Sequence, residues 1–179
     1  MARVLRNKMK KKKNNVDQLV ELLVQNAARE LISYHYYAIL CVYLNGLEGG
    51  GIGEIVEVAR NKNREHFEAL VERIYELGGS IPSSIKELED TAFSPVLLSG
   101  DPLNEQEVLH MLIEAGRSAV RGYTRICNIT AGRDHSTYMM ALGILNEVLE
   151  HKTWFSQFLG ESHPKPLQDS QVPFAAVSK

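Results

Sequence analysis

Four stretches of this chain carry apolar residues at three- and four-residue spacing, each closed by glycine. That repeated helical period constrains the fold more than any other feature. From Val16 to about Leu47 the stripe runs through Leu19, Leu23, Ala27, Tyr34, Tyr37, Cys41 and Leu44, and Gly49 to Gly51 stop it. A second helix is predicted from about Ile52 to Leu77, with Ile55, Ala59, Leu70 and Leu77 inward and Gly78-Gly79 at its end. Residues 80–103 hold three prolines and one glycine, which reads as a long connection with one turn of helix near Ser84–Leu88. A capping box from Asn104 to Glu107, with Leu103 and Val108 as a hydrophobic staple, opens the third helix, which ends near Gly132. The fourth runs from about Asp134 to Leu159 and stops at Gly160. With no strand pattern anywhere, the expectation is an all-α, up-down four-helix bundle over residues 16–160, with a long crossover between helices 2 and 3. Residues 1–15 are read as a basic flexible arm and 161–179, with Pro164, Pro166 and Pro173, as an extended tail.

A chain of 179 residues suits a single domain. No apolar run approaches the ~18–20 residues that a membrane span needs, and the N-terminal MARVLRNKMKKKK lacks the apolar core of a secretory signal. A cytoplasmic protein is expected. Cys41 and Cys127 are too few for a disulfide framework and are read as small buried hydrophobes. The net charge of −2 conceals an asymmetry, since seven of the 20 Lys and Arg residues lie in residues 1–13. The remainder carries 13 basic against 22 acidic residues, a net of −9.

One glycine is out of place. In LIEAGRSAVRGY, Gly116 sits mid-helix, within about 60° of Leu109, Leu112, Ala119, Tyr123 and Cys127 on the buried face. It costs roughly 0.5–1 kcal/mol against Ala and fills no space. The two halves of the chain share landmarks that give this position a counterpart. Glu30, Tyr37 and Cys41 recur as Gly116, Tyr123 and Cys127 at an offset of 86, and His66 recurs as His151 at an offset of 85. Two related hairpins about a pseudo-twofold axis would therefore place Gly116 where the other half places Glu30.

Glu30 lies on an apolar stripe, where a carboxylate needs a cation, a hydrogen-bond partner or a raised pKa. His66 and His151 also face inward. One Glu and two His near mid-helix resemble part of a bundle-core metal site, in which two helices give a Glu each and two give Glu-x-x-His; such a donor set suits iron. Tyr37 and Tyr123 are read as core aromatics that bond Glu30. A second set, Glu107, His110 and Glu114, lies about 120–180° from the core face and is read as a solvated surface rather than a metal site.

The segments NREHFEALVERIYELGG, AVRGYTRICNITAGRD and ILNEVLEHKTWFSQFLGE resemble the Dps-like ferritins across residues 16 to about 160. The resemblance implies a ferritin-like bundle assembled as a hollow dodecamer that oxidises ferrous iron, stores it and protects DNA. It also implies a depleted metal site. Glu30, His66 and His151 match family ligands, but the third-helix Glu is Gly116, and Asn63 and Val148 stand where a carboxylate precedes each His. Lys62 sits a turn before His66. Glu65 and Glu150 point about 100° from the neighbouring His, which leaves Glu147 as the stand-in. The family's cysteine pair is broken, with Ser118 at its first position and Cys127 at its second. The metal set is therefore Glu30, His66, His151 and Glu147, a reduced or absent di-iron site with impaired or absent ferroxidase activity.

Arg3, Arg6, Lys8, Lys10, Lys11, Lys12 and Lys13 are the candidate nucleic-acid contacts, since Lys-rich arms bind phosphate backbones through counterion release and without sequence preference. The reading is an iron-storing, DNA-protecting cage subunit. Its rivals are a DNA-binding cage for which iron is irrelevant, and a subunit of a mixed shell that co-assembles with an active ferritin-like partner.

Overall fold

The computed structural model describes residues 2–44, 51–92 and 104–160, with side chains from residue 15 onward. Five helices and no strand form among them: α1 Ala2–Leu44, α2 Ile52–Glu76, α3 Ile85–Thr91, α4 Glu105–Thr130 and α5 His135–Phe158. Hairpin α1–α2 packs on hairpin α4–α5, with α2 against α5 and α1 against α4, while α3 lies in the crossover and leans on α1. This is the four-helix bundle that the periodicity requires.

Helix ends follow local chemistry. Leu77, just past the end of α2, keeps a right-handed backbone, and Gly78 then takes φ 79°. The Gly78 and Gly79 amides donate back to the Tyr75 and Ile74 carbonyls, the paired closure that a left-handed residue permits. Gly79 is needed a second time, because a Cβ there would stand 2.5 Å from Cγ1 of Val20. Asn104 caps α4, its Oδ1 accepting from the Gln106 and Glu107 amides and its Nδ2 donating to the Glu107 carboxylate. Leu103, the expected staple partner, lies outside the described residues, as do residues 45–50 and residues 161–179, the expected extended tail. The expected single turn near Ser84 is the seven-residue α3, with Ser84 accepting from the Glu87 amide.

At its N-terminus α1 starts at Ala2 rather than Val16. Lys, Arg, Leu and Met are good helix formers, and neither Gly nor Pro occurs before Gly46. The basic segment continues the helix.

Two apolar clusters fill the bundle. One joins Leu19–Ala27 of α1, Leu70 and Ile74 of α2, Ala119–Cys127 of α4 and Ala141–Val148 of α5. The other joins Tyr37–Leu44, Ile52–Ala59, Val108–Ile113 and Phe155. Between them lies a layer of buried polar side chains from the middle of all four long helices: Arg29, Glu30, Ser33, Asn63, His66, Ser118, His151 and Lys152. The pseudo-twofold pairs fit this arrangement, with Tyr37 and Cys41 in one cluster and Tyr123 and Cys127 in the other.

A polar clamp closes one end. Asp134 caps α5 through the Thr137 amide, and Arg73 of α2 donates from one terminal nitrogen to both Asp134 oxygens at 2.9 Å and from Nε to the Thr137 hydroxyl at 2.7 Å. Burial works against the Asp134 carboxylate, but its bonds to Thr137 and Arg73 outweigh that and lower its pKa. The stability it supplies is thus present above the unfolded carboxyl pKa and is lost as pH falls through the lower folded value. Replacing Asp134 by Ala removes a cap and a partly buried ion pair together, an expected loss of about 1–2 kcal/mol at neutral pH. In thermal melts the gap between Asp134→Ala and the parent should narrow steadily as pH is taken below 4.

Candidate metal centre

Glu30 is 3% exposed and sits at the heart of the polar layer. Its Oε1 accepts from Arg29 at 2.8 Å and from the Tyr123 hydroxyl at 2.9 Å. Its Oε2 faces Nδ1 of His66 at 3.5 Å, within ion-pair reach but too far for a well-formed hydrogen bond. On the other side of the ring, Nε2 of His66 lies 2.9 Å from Oε2 of Glu147. Glu147 is in turn 3.4 Å from Nζ of Lys62, which also holds Glu65 at 2.9 Å. The result is an unbroken alternation of charge from the buried Arg29 through Glu30, His66 and Glu147 to Lys62 near the surface.

The ionisation of the chain of groups follows from these contacts. Burial alone would raise the Glu30 pKa, but His66 and Arg29 outweigh it and hold the carboxyl down at about 2. Burial disfavours the His66 imidazolium, yet the carboxylates of Glu30 and Glu147 overcome it and the pKa rises. The pKa of Glu147, opposed in the same way by partial burial, is lowered by His66 and Lys62. His151 behaves oppositely to its pseudo-symmetric mate: burial and the neighbouring His66 lower its pKa. The Tyr123 and Tyr37 hydroxyls are pushed upward by burial and by Glu30.

Arg29 is the residue that sequence reasoning missed. It is 2% exposed, donates to the Ser118 carbonyl at 3.2 Å and lies over the Tyr123 ring, 5.1 Å from its centroid. Leu22, Asn26, Arg29 and Ser33 recur at helical spacing and all are buried, but three of the four are polar, so no apolar stripe marks that face in the sequence. Arg29 and Asn26 reach α4 through a gap at Gly122, where a Cβ would stand 2.2 Å from Oδ1 of Asn26 and 2.9 Å from Nη1 of Arg29. Asn26 cannot swing aside cheaply, since its Nδ2 donates to the Leu22 carbonyl at 2.7 Å. Of the two glycines in LIEAGRSAVRGY, Gly122 is the one the core demands.

The void opposite Gly116 is filled from α5. A Cβ on Gly116 would lie 3.2 and 3.3 Å from Cγ and Cβ of Lys152, whose stem is buried across the glycine. A cavity of about 30 Å³ remains between Glu30, Asn63, Gly116, His151 and Lys152. Asn63 Nδ2 has no partner among the described residues.

Of the four expected metal residues, the fold joins Glu30, His66 and Glu147 in one network and sets His151 beside Glu30 on the cavity wall. They do not fit a metal ion. Each Glu30 oxygen faces a cationic or O–H donor, both His66 nitrogens face carboxylates, and Glu147 is shared between His66 and Lys62. Among the described residues no three His, Cys, Asp or Glu side chains are grouped so as to hold a metal ion. Tyr123 bonds Glu30 as expected. Glu65 and Glu150 are exposed, and so are Glu107, His110 and Glu114, with Glu114 paired to Arg117. Both cysteines are buried thiols. The side chains of Arg3 to Lys13 lie outside the described residues.

A family model for the ferritin-like domain matches residues 20–162, and a DNA protection during starvation protein of Pyrococcus furiosus is 48% identical over 145 residues, covering 81% of this chain and 78% of that protein. The chain belongs to the ferritin-like family. Among solved structures, a dodecameric thioferritin, the bacterioferritin-related protein of Bacteroides fragilis, superposes with a TM-score of 0.76 at 23% identity, over 82% of this chain and 86% of that one. Dps from Thermosynechococcus elongatus gives 0.70 at 16% identity over 87% and 97%. At such identities these two comparisons carry the ferritin-like fold.

Two outcomes test the site. Gly116→Ala gains helix propensity of up to about 1 kcal/mol and needs only a few tenths of an ångström from a flexible lysine stem, so it should be neutral or slightly stabilising. Gly122→Ala should cost about 1–3 kcal/mol by overpacking two pinned side chains. The denaturant midpoint of Gly116→Ala should fall at or slightly above the parent's, and that of Gly122→Ala clearly below it. The second outcome concerns pH. Because the folded His66 pKa is raised, its ion pairs stabilise fully below the ordinary imidazole value and are lost as pH rises through the folded one. Glu147→Gln removes one supporting carboxylate and lowers the folded pKa, so the alkaline decline in melting temperature should be smaller and finish at lower pH than in the parent.

Proposed function

We propose that this ferritin-like chain is a subunit of a cytoplasmic, oligomeric cage that stores iron as cargo and protects DNA, with weak or no ferroxidase activity of its own. The observation that carries the second half is the closed charge network: the side chains that would have to release iron's coordination sites are engaged by Arg29, His66, Lys62 and Tyr123. The first half is supported by the extensive identity to a protein named for DNA protection during starvation. A dodecameric homo-oligomer is the assembly this reading favours, by analogy with a dodecameric structural neighbour.

DNA would be held by Arg3, Arg6, Lys8 and Lys10 to Lys13 at the start of α1. Seven cations per subunit, repeated around a shell, act multivalently on phosphates. Removing residues 2–13 should weaken binding to duplex DNA at least about 10-fold and flatten its dependence on salt; a gel shift unchanged by the truncation overturns this assignment. A closed centre also favours a second reading, a mixed shell in which an active ferritin-like partner oxidises the iron. The pure protein should then oxidise ferrous iron in the presence of peroxide little faster than buffer, and turnover at the pace of an intact di-iron centre would refute both.

A further inference from the structure

We infer that Arg29 is the resident cation of this bundle core: its guanidinium takes the counter-charge role beside Glu30 that a metal ion would otherwise fill, so the core is complete without metal. Three independent contacts fix the guanidinium in place. It bonds the Glu30 carboxylate at 2.8 Å, donates to the backbone of α4 at Ser118, and lies over the face of Tyr123, whose own hydroxyl bonds the same Glu30 oxygen. Arginine suits this use because it stays charged when buried and its planar fork serves an oxygen, a carbonyl and a ring at once. The backbone of the opposing helix is adapted to it, since Gly122 leaves the gap that Nη1 and Asn26 occupy.

The positions around it agree. Where a metal centre would need further carboxylates, Asn63 brings a neutral amide, Val148 an apolar side chain, and Gly116 makes room for the stem of Lys152. These features reduce the negative charge that would attract a metal ion, and Arg29 pairs with the carboxylate that remains. An adjacent Arg-Glu pair on α1 facing a glycine on α4 is thus a structural alternative to a metal site within the same bundle. The inference rests on contacts within one chain, so it holds or fails independently of iron storage and DNA binding by the assembled shell.

The test is a double-mutant cycle read by thermal melting of the full-length protein. Arg29→Ala leaves Glu30 buried without its permanent counter-charge and should lower the midpoint by about 10 °C. Adding Glu30→Gln should recover part of that loss, and Arg29→Lys should retain more stability than Arg29→Ala. Additive losses, with no recovery in the double variant, would mean that Arg29 only packs, and would overturn the proposal. Should Arg29→Ala fail to fold, recovery of a folded protein in the double variant supports the proposal, and comparable failure of the double variant overturns it. A separate arm adds Co²⁺ to the unmodified protein and to Glu30→Gln. An equal response of both supports a metal-independent core, whereas a rise in midpoint or a visible Co²⁺ absorption that disappears in Glu30→Gln assigns Glu30 to a metal and overturns it.

Discussion

A carboxylate in the middle of a helical bundle is tolerated only if something positive or protic surrounds it, and the rest of this structure is arranged around meeting that requirement at Glu30. Arg29 supplies the charge, Tyr123 a hydroxyl and His66 a second cationic face. These three come from α1, α4 and α2, so the buried charge ties three of the four long helices to one point. Glu147 of α5 brings in the fourth through His66. The apolar clusters on either side exclude water from this layer, which makes an unpaired member costly and a paired one rigid.

The same layer explains features that look like defects in isolation. Gly122 sacrifices helix propensity so that a guanidinium and an amide can cross between α1 and α4. At Gly116 the buried stem of Lys152 covers the position that lacks a side chain. On the proposed reading, side-chain cations bridge the helices that a metal centre would otherwise join. A small cavity remains beside Asn63, His151 and Lys152.

Much of the architecture was legible from residue order. Helical periodicity identified the four long helices, glycines marked the ends of α2, α4 and α5, and Asn104 and Asp134 capped as their positions imply. The start of α1 was not, because a run of Lys and Arg carries no apolar stripe even though those residues form helix readily. Glu30 and His66 were legible through their inward phase, Glu147 only as the stand-in a turn before His151, and the lack of carboxylates at 63, 116 and 148 was plain in the sequence itself. Arg29 was not, since a charged residue beside a buried Glu is ordinarily read as solvent-facing.

The sequence by itself determined the helical bundle, the pseudo-symmetry of its hairpins and which carboxylates are missing, because period and residue identity are properties of the chain read locally. Only the tertiary structure decided what replaces them. Whether Arg29 points to water or into the core depends on a gap in α4 some ninety residues away, and whether Gly116 leaves a void depends on Lys152 of α5. Those are contacts between helices, set by packing, and no spacing within one helix encodes them.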